Sequence, residues 1–136
     1  GKGVGNRPFE REAGRHDIRT TDDIAILVRS FYERVRPDPE LGHFFADLDW
    51  GHHIPRIASF WAMVLLGDRS YQGDPMTTHI RLARTHPMEP RHFERWLAHW
   101  QAAVDDLFSG PKSDEAKERA RTIAGIMAHK VGRAAT

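Results

Sequence analysis

The stretch HHIPRIASFWAMVLLG, residues 52–67, decides the fold because its apolar residues repeat at helical spacing. His53, Ile57 and Trp61 stand at positions i, i+4 and i+8, so an imidazole and an indole share one face of the predicted helix. His53 lies at the upstream edge of that apolar face and is therefore expected to point into the interior. A buried imidazole needs a partner. This face is accordingly predicted to form one wall of a ligand pocket.

The same spacing rule predicts an all-α chain without strands. Four long helices are expected, at residues 21–36, 52–66, 91–108 and 113–132. Thr20 and Asp23 form a capping-box signal for the first helix, and Gly67 is a C-cap signal for the second. Pro90 is a favourable start for the third helix, and Ser113 is the expected N-cap of the last. The helices are predicted to pair in chain order as two hairpins stacked across one another.

Two irregular segments separate these helices. The segment ELGHFFADLDW, residues 40–50, is predicted to be a turn of helix plus a corner that buries Phe44 or Phe45. The segment between Gly67 and Pro90 carries Gly and Pro, so we expect a loop around one short helix that contains His79. A loop held between packed helices is costly unless a ligand occupies the space that it borders.

Composition and charge narrow the function class. A chain of 136 residues is long enough for one domain that encloses a cofactor. The 20 basic and 19 acidic residues give a net charge of +1, which provides no strong field for nucleic acid or an anionic membrane. The longest apolar run, residues 60–66, is too short to span a bilayer. The chain has no cysteine, and residues 1–19 carry no secretory pattern, so we expect a cytoplasmic protein.

Three side chains on other segments are candidates for the remaining walls of the pocket. Tyr32 lies on an apolar helical face and needs a hydrogen-bond partner, which is either a ligand or a backbone carbonyl. Trp96 offers one N–H donor on the apolar face of a later helix, where tryptophan is also common as core. His79 presents an imidazole suited to iron, with a solvated loop histidine as the alternative. Together with His53, these residues suggest a haem site.

The order and approximate spacing of four segments resemble a truncated haemoglobin, and group III in particular. The segments are FYERVRPDPELGHFF (31–45), HHIPRIASFW (52–61), YQGDPMTTH (71–79) and HFERWL (92–97). The resemblance extends from residue 20 to about residue 132. It implies a truncated globin fold, a two-over-two helical sandwich around one haem, with the domain at 20–133. Residues 1–19 are then an N-terminal extension, which the sequence leaves open as ordered or disordered.

The resemblance also implies a role for each candidate residue. His79 is the expected proximal ligand of the iron in haem b, and Tyr32, His53 and Trp96 are expected on the distal side. The other expected haem-pocket residues are Phe45 (failing that Phe44) at the helix corner, Ile57 and Trp61 on the distal wall, and Arg56, weighed as a propionate partner against a solvated side chain.

The implied function is reversible binding of dioxygen, and of other diatomic gases such as NO or CO, at a five-coordinate haem iron. Two hydrogen-bond donors near the gas slow its escape, which argues against simple delivery. Redox or detoxification chemistry, as an NO dioxygenase or a peroxidase-like enzyme with an external reductase, is left open. The expected assembly is a monomer or a weak dimer.

Two alternatives come from other classes of protein. Glu89 and His92 fit the Glu-x-x-His spacing of non-haem di-iron bundles, but such a bundle needs two of these motifs and two more glutamates. A cofactor-free helical interaction module would place the tryptophans in a plain core and leave the histidines solvated. The di-iron protein would contain iron without porphyrin, and the module would be colourless.

Overall fold

Four α-helices form the fold in the computed structural model, which describes residues 15–46, 49–69 and 89–135, with side chains up to residue 129. They are α1 (Thr21–Val35), α2 (Trp50–Leu66), α3 (Pro90–Leu107) and α4 (Pro111–Ala135), with a 3₁₀ turn (Gly42–Phe45) between α1 and α2. Helix α1 packs on α2, α3 packs on α4, and the two pairs meet through α1 with α3 and α2 with α4. The predicted pair of stacked hairpins is confirmed. The predicted short helix containing His79 lies outside the described residues.

Local signals fix the start of α1 and both ends of α2. The Thr20 hydroxyl accepts a hydrogen bond from the Asp23 N–H, and the Asp23 carboxylate accepts one from the Thr20 N–H, which confirms the predicted capping box. Helix α2 starts at Trp50, two residues earlier than predicted, because the Asp49 carboxylate accepts the Gly51 N–H. It ends at Gly67, whose φ of 75° gives the left-handed C-cap that the sequence predicts.

The start of α4 differs from the prediction. Ser113 is not the N-cap: the helix begins at Pro111, and the Ser113 hydroxyl donates to the carboxylate of Asp17. Asp17 also accepts the backbone N–H groups of Lys112 at 2.7 Å and Ser113 at 2.8 Å, so it supplies the cap from far upstream. Asp17 and the buried Ile18 belong to the expected extension 1–19, yet both pack against the helices.

A stack of tryptophans joins the two hairpins. Trp61 of α2 lies face to face with Trp100 of α3, with ring centroids 4.4 Å apart and an interplanar angle of 21°. Phe31 of α1 meets the Trp100 ring edge-on at 5.3 Å. The Trp100 indole N–H donates to the Ala116 carbonyl of α4 at 3.1 Å, so its one polar atom is satisfied. This core holds all four helices in the positions from which the site is built.

A buried carboxylate connects the corner after α1 to α3. Asp38, with a side chain 2% exposed, accepts hydrogen bonds from Arg95 at 2.8 and 3.1 Å and from His99 Nε2 at 2.6 Å. Its other oxygen accepts the Glu40 N–H at 2.7 Å. Burial alone would raise the pKa of Asp38, but the hydrogen bonds from His99, Arg95 and Glu40 outweigh it and lower the pKa to about 2. The corner that carries Phe44 and Phe45 is thereby attached to α3.

Candidate functional site

Tyr32 and His53 form the polar centre of the candidate site. The Tyr32 hydroxyl on α1 and His53 Nε2 on α2 are hydrogen-bonded at 2.9 Å. Tyr32 is only 3% exposed and His53 is half-buried. The adjacent His52 is exposed, so of these two histidines it is His53 that lies on the inward face of α2. The Tyr32 hydroxyl and the His53 imidazole, on different helices, are therefore joined by one hydrogen bond.

Aromatic rings surround the Tyr32 side chain. Phe31, Trp50, His53 and Phe45 lie with ring centroids 4.8, 5.0, 5.2 and 6.0 Å from the Tyr32 ring. Phe45 is 3% exposed, and the adjacent Phe44 is buried too, so the corner segment buries both phenylalanines and not one of them. Burial in these surroundings raises the pKa of the Tyr32 hydroxyl well above its usual value. The hydroxyl therefore keeps its proton and can act as a donor at physiological pH.

The direction of the Tyr32–His53 hydrogen bond decides what the hydroxyl can do. If His53 Nε2 carries no hydrogen, the Tyr32 O–H donates to it and is occupied. If Nε2 carries the hydrogen, His53 donates to the phenolic oxygen and the Tyr32 O–H is left for a ligand in the pocket. The tautomer or protonation state of the His53 ring thus decides whether the Tyr32 O–H donates to His53 or is left for a ligand.

The other predicted site residues fall into two groups. Ile57 is half-buried against the core, and Trp96 is half-buried with its ring 5.6 Å from Phe31, which in turn contacts the Tyr32 ring. Trp61 lies deeper, 2% exposed and stacked on Trp100, while Arg56 is exposed at the surface of α2. The predicted iron ligand, His79, lies outside the described residues.

One residue of this cluster is absent from the sequence-based prediction. Trp50 is three residues before His53, so both lie on one face of α2, and their ring centroids are 5.7 Å apart. The helix was predicted to begin at His52, which left Trp50 in the corner segment. The Asp49-Trp50-Gly51 sequence contained the missing signal, since Asp49 is a favourable N-cap residue.

Partly buried apolar side chains on α2 and α3 suit a flat, apolar cofactor. Helix α2 fully buries only Trp61, Ala62 and Leu65. Many other apolar side chains on the two facing helices are only partly buried: Ile54, Ile57, Ala58, Phe60, Val64 and Leu66 on α2, and Trp96 and Leu97 on α3. A porphyrin would cover such a surface, and the Tyr32 and His53 groups would supply polar contacts at it. These residues fit a haem.

The Glu-x-x-His sequence that motivates the di-iron alternative has a local role instead. Glu89 precedes α3, and its N–H donates to Nδ1 of the buried His92 at 2.8 Å, which caps the start of the helix. Burial and the nearby Arg91 charge lower the pKa of His92, so the neutral ring that accepts this bond is favoured. Within the described part of the chain, no three His, Asp or Glu side chains are grouped as a metal site would require.

Comparisons with known proteins agree on one family. The sequence model of the bacterial-like globins matches residues 16–131. The chain is 33% identical over 109 residues to group 3 truncated hemoglobin ctb of Campylobacter jejuni, covering 76% of this chain and 84% of that protein. It is 31% identical over 111 residues to group 1 truncated hemoglobin GlbN of Synechocystis, covering 81% and 87%.

A solved structure gives the same result for the fold. The crystal structure of the group III truncated hemoglobin from Campylobacter jejuni superposes with a TM-score of 0.77 at 29% identity, covering 86% of this chain and 94% of that one. Among the described helices, none combines the length and the apolar character needed to cross a membrane.

Proposed function

The chain belongs to the bacterial-like globin family, and we propose that it binds dioxygen and other diatomic gases reversibly on the side of its haem that faces Tyr32 and His53. A haem cofactor follows from the family, and its identity as haem b is part of the proposal. The observation that carries the proposal is the 2.9 Å contact between a buried tyrosine hydroxyl and an imidazole. The hydroxyl has aromatic rings as its neighbours, and among them it would be a donor for a weakly polar ligand.

His79 is the proposed protein ligand of the iron, on the resemblance of the YQGDPMTTH segment to group III truncated haemoglobins. Haem, when bound, would supply an iron able to bind a gas, and His79 would be its one protein ligand, which corresponds to the five-coordinate resting state that we propose. A hydrogen bond from the N–H of the other His79 ring nitrogen to a backbone carbonyl would fix its tautomer.

Tyr32, His53 and Trp96 are the proposed distal residues. The Tyr32 hydroxyl keeps its proton and donates to the ligand when His53 Nε2 carries a hydrogen, as the tautomer argument requires. Trp96 is half-buried beside Phe31 and offers an indole N–H from the facing helix. A negatively polarised ligand atom held by two donors leaves slowly, so we infer a high affinity for dioxygen.

The remaining proposed pocket residues supply shape. Phe45 is buried beside Tyr32 and Ile57 is half-buried on α2, and both are proposed to pack on the porphyrin. Exposed Arg56 is available to a propionate. Trp61 is proposed to support the pocket residues of α2 from the core side, since its ring is stacked on Trp100.

Slow release favours gas retention or redox chemistry over delivery. We propose that an external reductase maintains the reduced protein, in NO dioxygenase or peroxidase-like chemistry. A cytoplasmic location is proposed with it, because a chain without cysteine suits a reducing compartment.

Visible absorption spectra test the proposal. The purified chain is recorded oxidised, reduced and with carbon monoxide, beside His79→Ala and the matched control His86→Ala, a second histidine of the same segment. We expect the parent and His86→Ala to show a haem spectrum with a single-imidazole reduced state and a carbon monoxide adduct, and His79→Ala to lose most of its haem. A colourless parent protein, or iron without porphyrin, would overturn the haem function. Full haem retention by His79→Ala would overturn the ligand assignment.

A further inference from the structure

Trp50 lies beside the Tyr32–His53 pair at the start of α2. It is half-buried, as His53 is, whereas Tyr32, whose ring it contacts, is 3% exposed. Its ring meets the Tyr32 ring edge-on at 5.0 Å and the His53 ring edge-on at 5.7 Å. Phe45 completes the group at 6.1 Å from Trp50. The indole therefore contacts both members of the hydrogen-bonded pair and one of their aromatic neighbours.

Arg36 holds the outer face of Trp50. The guanidinium carbon lies 4.7 Å from the Trp50 ring centroid, within the range of a cation–π contact. Arg36 is the C-cap of α1, and its backbone N–H donates to the Tyr32 carbonyl at 2.9 Å. The residue that covers Trp50 is thus one helical turn from Tyr32, and the positions of Arg36, Trp50 and Tyr32 are coupled through α1.

We propose that Trp50, held by Arg36, is a positioning residue that excludes water from the Tyr32–His53 hydrogen bond and thereby fixes the tyrosine hydroxyl for the incoming ligand. The inference rests on the proposed function, but what it predicts directly is that Trp50 keeps water away from one hydrogen bond. Removal of the indole opens a path for water to the hydroxyl. Water then competes for the donor, and the desolvation that keeps Tyr32 protonated is reduced.

Ionisation of Tyr32 measures that exclusion without any need for haem or gas. The chain has two tyrosines, so Tyr71→Phe leaves Tyr32 as the only one whose ultraviolet tyrosinate signal appears on alkaline titration. In this background we expect Trp50→Ala to move the ionisation at least about one pH unit lower. Trp50→Phe should restore most of the parent behaviour, and Arg36→Gln should cause a smaller shift of the same sign. Met63→Ala, which removes an exposed apolar side chain of α2, is the control and should leave the titration unchanged.

The result that would overturn the inference is a Trp50→Ala protein that folds, by its far-ultraviolet circular dichroism, and titrates like its parent. If Trp50→Ala does not fold, Arg36→Gln decides: a shift in its Tyr32 titration supports the inference and an unchanged titration overturns it. In the haem-loaded protein, the infrared band of bound carbon monoxide should broaden or split in Trp50→Ala and remain single in Trp50→Phe. A chain that binds no haem would refute the proposed function and still leave the Tyr32 titration to decide the role of Trp50.

Discussion

Substitution of the buried Asp38 by asparagine should destabilise the protein by about 2–3 kcal/mol at neutral pH. Asp38 is 2% exposed and accepts charge-assisted hydrogen bonds from Arg95 and His99. Loss of one partner of a fully buried ion pair costs about 3–5 kcal/mol. The figure is lower here because Arg95 is 46% and His99 27% exposed, so water can hydrate both after the carboxylate is gone.

Urea unfolding, followed by circular dichroism, is the assay for Asp38→Asn. In thermal unfolding of a chain of this size, the same loss of unfolding free energy corresponds to a fall in Tm of roughly 6–12 °C. The matched control is Glu118→Gln, which removes an Arg121 ion pair whose side chains are 58% and 63% exposed. That exposed pair should contribute less than about 1 kcal/mol.

The loss of stability in Asp38→Asn should depend on pH, because Asp38 stabilises the fold only while it is ionised. The pKa of Asp38 is lowered to about 2 in the folded protein, against about 3.9 in an unfolded chain. Its stabilising contribution is therefore complete above about pH 4 and is lost as the pH falls toward 2. The difference between wild type and Asp38→Asn should shrink over that window. A difference below about 0.5 kcal/mol at pH 7, or one that is unchanged at pH 3, would refute the reasoning.

Four further results are expected. Tyr32→Phe removes a proposed donor, so stopped-flow measurement should show dioxygen leaving about tenfold faster, since one hydrogen bond is worth about 1–1.5 kcal/mol; an unchanged rate would contradict the role of the hydroxyl. Asp17→Ala should lower stability by about 2 kcal/mol in urea, because the first turn of α4 loses its cap, and a neutral result would show that the cap is dispensable. Gly110→Ala should destabilise too, since φ is +144° and a Cβ would lie 2.6 Å from Asp17 Cγ. The double mutant Asp17→Ala/Gly110→Ala should lose less stability than the sum of the two single losses. Strict additivity would contradict a shared mechanism.

Local signals made most of the fold predictable. The Thr20–Asp23 box, Gly67 and Pro90 act within one helical turn of the boundary that each one sets, so the sequence around them was sufficient. Two of the contacts missed by the prediction join distant residues. Asp17 caps a helix about 95 positions later, and Asp38 binds side chains about 60 positions later, for which no periodicity gives a signal.

The candidate site was predictable to a similar degree. Helical spacing selected His53 over His52 because only one of two adjacent residues can share a face with Ile57. The hydrogen bond between His53 and Tyr32 was not predicted, since it depends on how α1 and α2 pack. Trp50 was missed because its place on the face depends on where α2 begins, and helix ends are the least certain feature of a sequence pattern.

The cap that Asp17 provides has a consequence for cooperativity. Its bonds to Lys112 and Ser113 connect the first described residues to the opening turn of the last helix, and Ser109 N–H donates to the His16 carbonyl beside it. During synthesis this junction cannot close until the C-terminal hairpin has emerged, although its upstream half is made first. The two hairpins are thereby joined at the edge of the molecule into one unfolding unit. Slow amide exchange at the beginning of α4 should then report the opening of the whole protein, and not the fraying of one helix end.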